Sequence, residues 1–205
     1  PAGWRELARD RHRAGGGRLL LYLAAVQSAV QVAGPYFTPF MLEELEFSYA
    51  QYAGLVSVAF SAKVIALPLW GRMAHTVGAR RLLVIGGWGI IPLSAAWVVS
   101  SSLAWLALVQ IASGAIWAAY ELAFFLLFFE SIPAEKRTGL LTLYNLLNTS
   151  AWVGGALFGG VLLYATGASY NGYLLIFAVS SLGRLLALPL LLRLETAEVP
   201  ADAIE

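Results

Sequence analysis

Three ionisable side chains lie inside the apolar stretches of this sequence, and two of them could form a pair. Lys63 precedes Trp70 by seven residues, and Glu121 precedes Phe129 by eight. Helices would therefore place both side chains about 10–12 Å from one membrane face. A charged group in hydrocarbon costs several kcal/mol unless it is paired or hydrated, so both mark a candidate functional site. We predict a Lys63–Glu121 pair that serves as a structural bridge, a proton-coupled switch or a substrate anchor.

The third ionisable side chain is Arg184, which lies nine residues before Arg193. An arginine can bury its aliphatic stem and keep its guanidinium in water. We therefore expect the Arg184 side chain to extend toward the nearer membrane interface.

Polar and aromatic residues at helical spacing could line a cavity beside the pair. Gln27 and Gln31 are four residues apart and share one helix face, as do Asn145 and Asn148 on a later helix. The candidate substrate or coupling residues are Gln27, Gln31, Lys63, Trp117, Tyr120, Glu121, Asn145 and Asn148. The alternative is that the amides join neighbouring helices, at about 0.6–2 kcal/mol each, and that Trp117 only packs.

Six long apolar runs must position these residues. The chain of 205 residues is 60% hydrophobic and 12% charged, about half the charged share of a soluble domain. The runs cover residues 19–42, 49–70, 82–99, 103–129, 138–165 and 170–192. Each is long enough to cross a bilayer, and in lipid a spanning segment must satisfy its own backbone hydrogen bonds as a helix. The sequence predicts an all-α polytopic membrane protein with a six-helix domain at 19–194.

The basic residues outside the runs all fall on one side of the predicted membrane. Eleven lie there: Arg5, Arg9, Arg11, Arg13, Arg18, Arg72, Arg80, Arg81, Lys136, Arg137 and Arg193. The other side has none and carries Glu43, Glu44 and Glu46 in its first connection. Since Lys and Arg collect on the cytoplasmic side, both termini are predicted to be cytoplasmic, in a plasma membrane. Residues 1–18 would form a basic tail or linker, and residues 195–205 a second tail.

A short basic segment joins the second and third runs, Gly71-Arg72-Met73-Ala74-His75-Thr76-Val77-Gly78-Ala79-Arg80-Arg81. It resembles the loop signature of the major facilitator superfamily, G-x-L-x-D-R-x-G-R-R. The matching residues are Gly71, Gly78, Arg80 and Arg81. Met73 stands in place of the Leu, His75 in place of the Asp and Thr76 in place of the Arg.

The resemblance implies one six-helix half of a secondary transporter that moves a small solute by alternating access, with proton coupling as one option. It also implies a small-molecule substrate, a second six-helix half as partner, and a gating loop formed by Gly71, Arg72, His75, Gly78, Arg80 and Arg81. In the family the Asp is thought to lock the cytoplasmic side by ion pairing, a role that cannot pass to His75. The degraded signature and the basic tail favour a C-terminal half.

Other classes of function lack the residues they require. The chain has no cysteine and only two histidines, His12 and His75, which form no metal-ligand pair. No hydrolase or phosphate-binding motif is present, and no channel filter segment is visible. We therefore predict no enzyme, cofactor, metal site or nucleic-acid partner, and a lipid bilayer as the surroundings. The alternative function is a non-transport six-helix membrane scaffold or receptor-like protein.

Overall fold

The computed structural model describes residues 16–131 and 134–195, and these fold into helices without a strand. Six long helices carry the fold: α1 (Gly16–Ala33), α2 (Tyr49–Val77), α3 (Ala79–Val99), α4 (Leu103–Ser131), α5 (Ala134–Ala165) and α6 (Tyr170–Glu195). There are six stretches long and apolar enough to cross a membrane, one for each long helix, and the first of them, Leu19–Glu44, extends beyond α1. The predicted all-α membrane fold is therefore confirmed. The predicted tails lie almost wholly outside the described residues, and their boundaries remain predictions.

The first span bends where proline and glycine interrupt the helix. α1 is continued by three short helical turns, Gly34–Tyr36, Phe37–Pro39 and Phe40–Glu44, of which the first is a 3-10 turn and the last a π turn. Proline has no N–H to donate, so the ordinary helical ladder cannot run through Pro35 and Pro39 unchanged. The bent segment carries Thr38 and Met41 toward α2, where they contribute to a cavity described below.

Serine hydroxyl groups cap the first turns of two of the helices. The Ser48 hydroxyl accepts a hydrogen bond from the Gln51 N–H at 3.3 Å, and the Gln51 side chain accepts one from the Ser48 N–H at 2.8 Å. The Ser102 hydroxyl accepts the Trp105 N–H at 3.3 Å. These contacts satisfy N–H groups that a helix start leaves without partners, so Ser48 and Ser102 are the N-cap residues of α2 and α4.

The basic segment between the second and third helices is mostly helical, which corrects the expected loop. α2 continues to Val77, α3 begins at Ala79, and only Gly78 lies outside a helix. Gly78 has φ +85°, a backbone conformation in which a side chain would be strained. The six predicted gating residues therefore occupy the last turns of α2, this one-residue break and the first turn of α3.

The helices pack in the spatial order α2, α4, α3, α6, α1, α5. Each inner member of this series packs against two neighbours, whereas α2 and α5 each have one extensive partner, α4 and α1 respectively. The two hydrophobic clusters of the core draw mainly on α1, α3, α4 and α6. In α2 only Leu55 and Ala66 are buried. We call the side of the bundle bounded by α2 and α5 the open face.

Glycines allow the two outer helices to approach their partners closely. A Cβ atom at Gly114 of α4 would overlap the carbonyl oxygen of Ala59 in α2. A Cβ atom at Gly155 or Gly159 of α5 would overlap a carbonyl oxygen of α1. The small residues Gly155 and Gly159, four apart on α5, therefore serve close packing within the bundle.

Candidate functional site

Lys63 and Glu121 form an ion pair between α2 and α4. The Lys63 Nζ atom donates to Glu121 Oε2 at 2.6 Å. The two side chains keep 31% and 44% of their surface exposed, so the pair lies at the edge of the helix contact rather than in the core. The pairing predicted from equal depth is confirmed, and it is the only ion pair among the residues that the structure describes.

The close contact of α2 and α4 positions this pair. Gly114 places the α4 backbone directly against α2, with the Lys63 backbone nitrogen next to it. Further along, the Trp70 indole N–H donates to the Ala115 carbonyl oxygen at 2.7 Å. The Gly114 contact and the Trp70 hydrogen bond hold the two helices together, and this helix contact alone places the Lys63 and Glu121 side chains within reach of each other.

Aromatic residues connect Glu121 to the core and to α5. The rings of Trp117 and Tyr120 meet edge to face with centroids 5.6 Å apart. Tyr120 is buried within the larger core cluster, whereas Trp117 is partly exposed. On the other side, the Tyr144 ring of α5 packs against Phe124, one helical turn after Glu121 on α4, with ring centroids 4.9 Å apart. Glu121 therefore lies between α2 and α5, on the open face.

The four predicted amide residues lie on α1 and α5, and no described hydrogen bond or ion pair joins any of them to Lys63 or Glu121. Gln27 and Gln31 are partly buried on α1, and the Gln31 side chain packs close to Gly155 of α5. Asn145 is exposed and Asn148 partly buried on α5. Asn145 directly follows Tyr144 on α5, and its exposed side chain adds a polar group to the surface of that helix.

Arg184 contradicts the expectation that it reaches a membrane interface. Its side chain is buried in the bundle with 4% of its surface exposed. The Nη1 atom donates to the Ile90 carbonyl oxygen of α3 at 2.7 Å, and Nη2 donates to the Ser180 hydroxyl at 3.0 Å. Because α6 packs this side chain directly against α3, the guanidinium donates to protein oxygens instead of reaching water at the interface. A sequence signal existed, since Ser180 lies four residues before Arg184 on the same helix face.

The basic residues around the α2–α3 junction point away from the core. Arg72, His75, Arg80 and Arg81 are all exposed. None of them forms an ion pair with a described carboxylate, so no charge lock is present in the described part of the chain. No group of three or more His, Asp or Glu that could hold a metal ion occurs within the described residues either.

The comparison with known families decides the class of this bundle. Residues 19–204 match the family model of the Major Facilitator Superfamily. The chain belongs to the major facilitator superfamily. As a member of this superfamily it is an integral membrane protein and a membrane transporter, and its 205 residues fit a six-helix half of such a fold. No curated protein and no solved structure matched the chain.

Proposed function

We propose that this member of the major facilitator superfamily is one six-helix half, the C-terminal one, of a secondary active transporter. It moves a small solute by alternating access, and an ion gradient supplies the energy. The observation that carries the proposal is the Lys63–Glu121 pair, because it joins two helices at the open face with both side chains partly exposed. Partial exposure leaves both charged groups accessible to water and to a solute, as a transport pathway requires.

The shape of the open face supports a second half as partner. α2 exposes large apolar side chains along its length, including Phe60, Ile65 and Leu69. Lipid can cover some of these, but the charged pair beside them needs water or polar partners. A second six-helix bundle facing α2 and α5 would enclose a polar cavity between the halves, which is where transporters of this architecture bind their solutes.

Glu121 is the residue proposed to carry the coupling proton. When its carboxylate is ionised, the pair with Lys63 holds α2 against α4 at the open face. Protonation removes the attraction and leaves Lys63 free to interact with a solute or with another residue. Alternation between these two states would link proton movement to the relative position of the two helices. Gln27, Gln31, Trp117, Asn145 and Asn148 are proposed to contribute to the solute surface.

The orientation of the chain is part of the proposal. Short connections make consecutive helices alternate in direction, so the α2–α3 junction lies on the same side as the start of α1 and the end of α6. That side carries Arg72, Arg80 and Arg81, and the opposite side carries the three glutamates after α1. The asymmetry supports a cytoplasmic location for the basic side, in a plasma membrane. The exposed arginines are proposed to contact anionic headgroups or the other half during gating.

Water at the open face distinguishes this transporter from an inert scaffold. The chain lacks cysteine, so single cysteines can be introduced as reporters. In lipid membranes, a membrane-impermeant thiol reagent should label Asn145→Cys, an exposed position on α5 that we propose to face the solute pathway. It should not label Trp88→Cys, an exposed position on α3 that faces lipid in this arrangement. Protection of both positions from the reagent would favour the scaffold and contradict a solute pathway.

A further inference from the structure

A cavity of about 270 Å³ lies inside the six-helix bundle, apart from the Lys63–Glu121 pair. Its exposed rim includes Thr38 of the bent segment after α1 and Val56 of α2. Its buried lining includes Ser94 and Trp97 of α3 and Arg184 of α6. The cavity therefore leads from the surface of the bundle to the side chain of a buried arginine.

Two buried polar side-chain atoms among the described residues have no hydrogen-bond partner. They are the Ser94 hydroxyl oxygen and the Arg184 Nε atom, and no other buried side-chain nitrogen or oxygen in the described part of the chain lacks one. An unsatisfied buried polar atom costs about 1–3 kcal/mol, and more for a charged group. Both orphaned atoms belong to residues that line the same cavity, which indicates that the cavity is shaped for a polar occupant.

The charge of Arg184 has no protein counter-ion among the described residues. Its two hydrogen bonds go to neutral oxygens, those of Ile90 and Ser180. A guanidinium remains charged under all ordinary conditions and offers five N–H donors in a planar fork. Two donors are in use, so the group retains the capacity to bind the two oxygens of a carboxylate. A bound anion would supply both the missing acceptor and the missing negative charge.

The rest of the lining selects for a small and partly apolar ligand. Phe37, Trp97, Trp117 and Leu93 contribute apolar surface, and Gln110 and Ser113 add neutral hydrogen-bonding groups. An apolar protein cavity of about 150 Å³ can accommodate benzene, so 270 Å³ has room for a ring that carries a carboxylate. We propose that this cavity binds a small organic carboxylate, with Arg184 pairing its charge and the aromatic side chains enclosing its apolar part.

The proposed site does not depend on transport. Arg184 and Ser94 lie on α6 and α3, whereas the pair at the open face lies on α2 and α4. Trp117 is the single residue common to this cavity and to the predicted substrate set. The binding test can therefore succeed or fail independently of whether the protein moves a solute.

The test is calorimetric titration of benzoate into the purified chain in phosphatidylcholine nanodiscs. We expect saturable binding that Arg184→Gln weakens about tenfold or more, because a hydrogen bond to a charged group is lost. Arg193→Gln, which removes a positive charge from the same helix outside its span, is the matched control and should leave the affinity unchanged. Ser113→Leu reduces the cavity without changing the arginine and should also weaken binding. Circular dichroism and gel filtration establish that each variant is folded.

Several outcomes would overturn the assignment. Equal binding of benzyl alcohol, a neutral analogue, would show that the charge is not recognised. Binding of chloride with no binding of benzoate would make the site one for inorganic anions. Competition by phosphatidylglycerol in the nanodisc would assign the cavity to a lipid headgroup. Benzoate binding that persists in both Arg184→Gln and Ser113→Leu would place the ligand elsewhere, and no saturable binding to the unchanged chain would refute the proposal outright.

Discussion

Replacement of Lys63 and Glu121, singly and together, should reveal a coupling free energy between them. At the 2.6 Å separation of Nζ and Oε2, the gross Coulomb attraction is about 6 kcal/mol at an effective dielectric constant of 20. Most of this offsets the loss of hydration, and partial exposure of both side chains weakens it further. We therefore expect a net coupling of about 1–2 kcal/mol, near the lower end of the roughly 1.5–3 kcal/mol of a hydrogen bond to a charged group.

The assay is reversible unfolding of Lys63→Met, Glu121→Leu and the double variant in mixed detergent micelles. The two single changes together should lower the free energy of unfolding by more than the double change does. Each single change leaves one charge beside apolar helices without a partner, whereas the double change removes both charges. The combination of Lys63→Met with Glu46→Ala is the control, since Glu46 lies in the connection before α2 and should act independently. If the losses in unfolding free energy of Lys63→Met and Glu121→Leu add up to that of the double variant within about 0.5 kcal/mol, the coupling is refuted.

Three further predictions concern topology, helix packing and energy coupling. Thr76→Cys and Ser169→Cys, both at exposed positions, should react with an impermeant reagent from opposite sides of the membrane, and labelling of the Thr76→Cys variant from outside intact cells would reverse the proposed orientation. Gly114→Ala should cost about 1–3 kcal/mol of stability, because the new methyl group overlaps α2. The control Gly54→Ala places a methyl group where no atom lies within 4 Å, so it should be neutral or slightly stabilising. Equal effects of the two changes on unfolding would show that the α2–α4 contact is looser than described. Glu121→Gln should abolish uphill accumulation of solute and leave exchange across the membrane, as measured by radiolabelled uptake, and normal gradient-driven accumulation would return Glu121 to a structural role.

The sequence by itself determined the number of helices and most of their limits. A transmembrane helix makes its backbone hydrogen bonds within one segment, so its existence depends on local length and apolarity rather than on distant contacts. The same local regularity explains why the Lys63–Glu121 pair could be predicted. Rise per residue gives the depth of each side chain, and two opposite charges at one depth have a strong reason to meet.

Depth along a helix does not specify direction around it, and this is where prediction from sequence was wrong. Arg184 was expected to extend toward water because its long stem can carry the guanidinium to the interface. Ser180 marks a polar face of α6, but the sequence does not identify the helix that packs against this face. The tertiary structure turns the Arg184–Ser180 face toward α3, where the Ile90 carbonyl oxygen accepts a hydrogen bond from the guanidinium. The cavity that reaches Arg184 draws its lining from several helices and the bent segment after α1, so no single stretch of sequence contains its signal.

The segment between α2 and α3 shows the same division. Its composition indicated a connection on the basic side. Whether residues 71–77 form a loop or continue the helix depends on how many residues the chain needs to reverse direction between α2 and α3. Gly78 alone makes that turn, because its positive φ allows the chain to reverse within one residue. The helices of this transporter could therefore be predicted from sequence, because their backbone hydrogen bonds form within one segment. Only the packing of helix faces decided which polar groups were buried, paired or left facing a cavity.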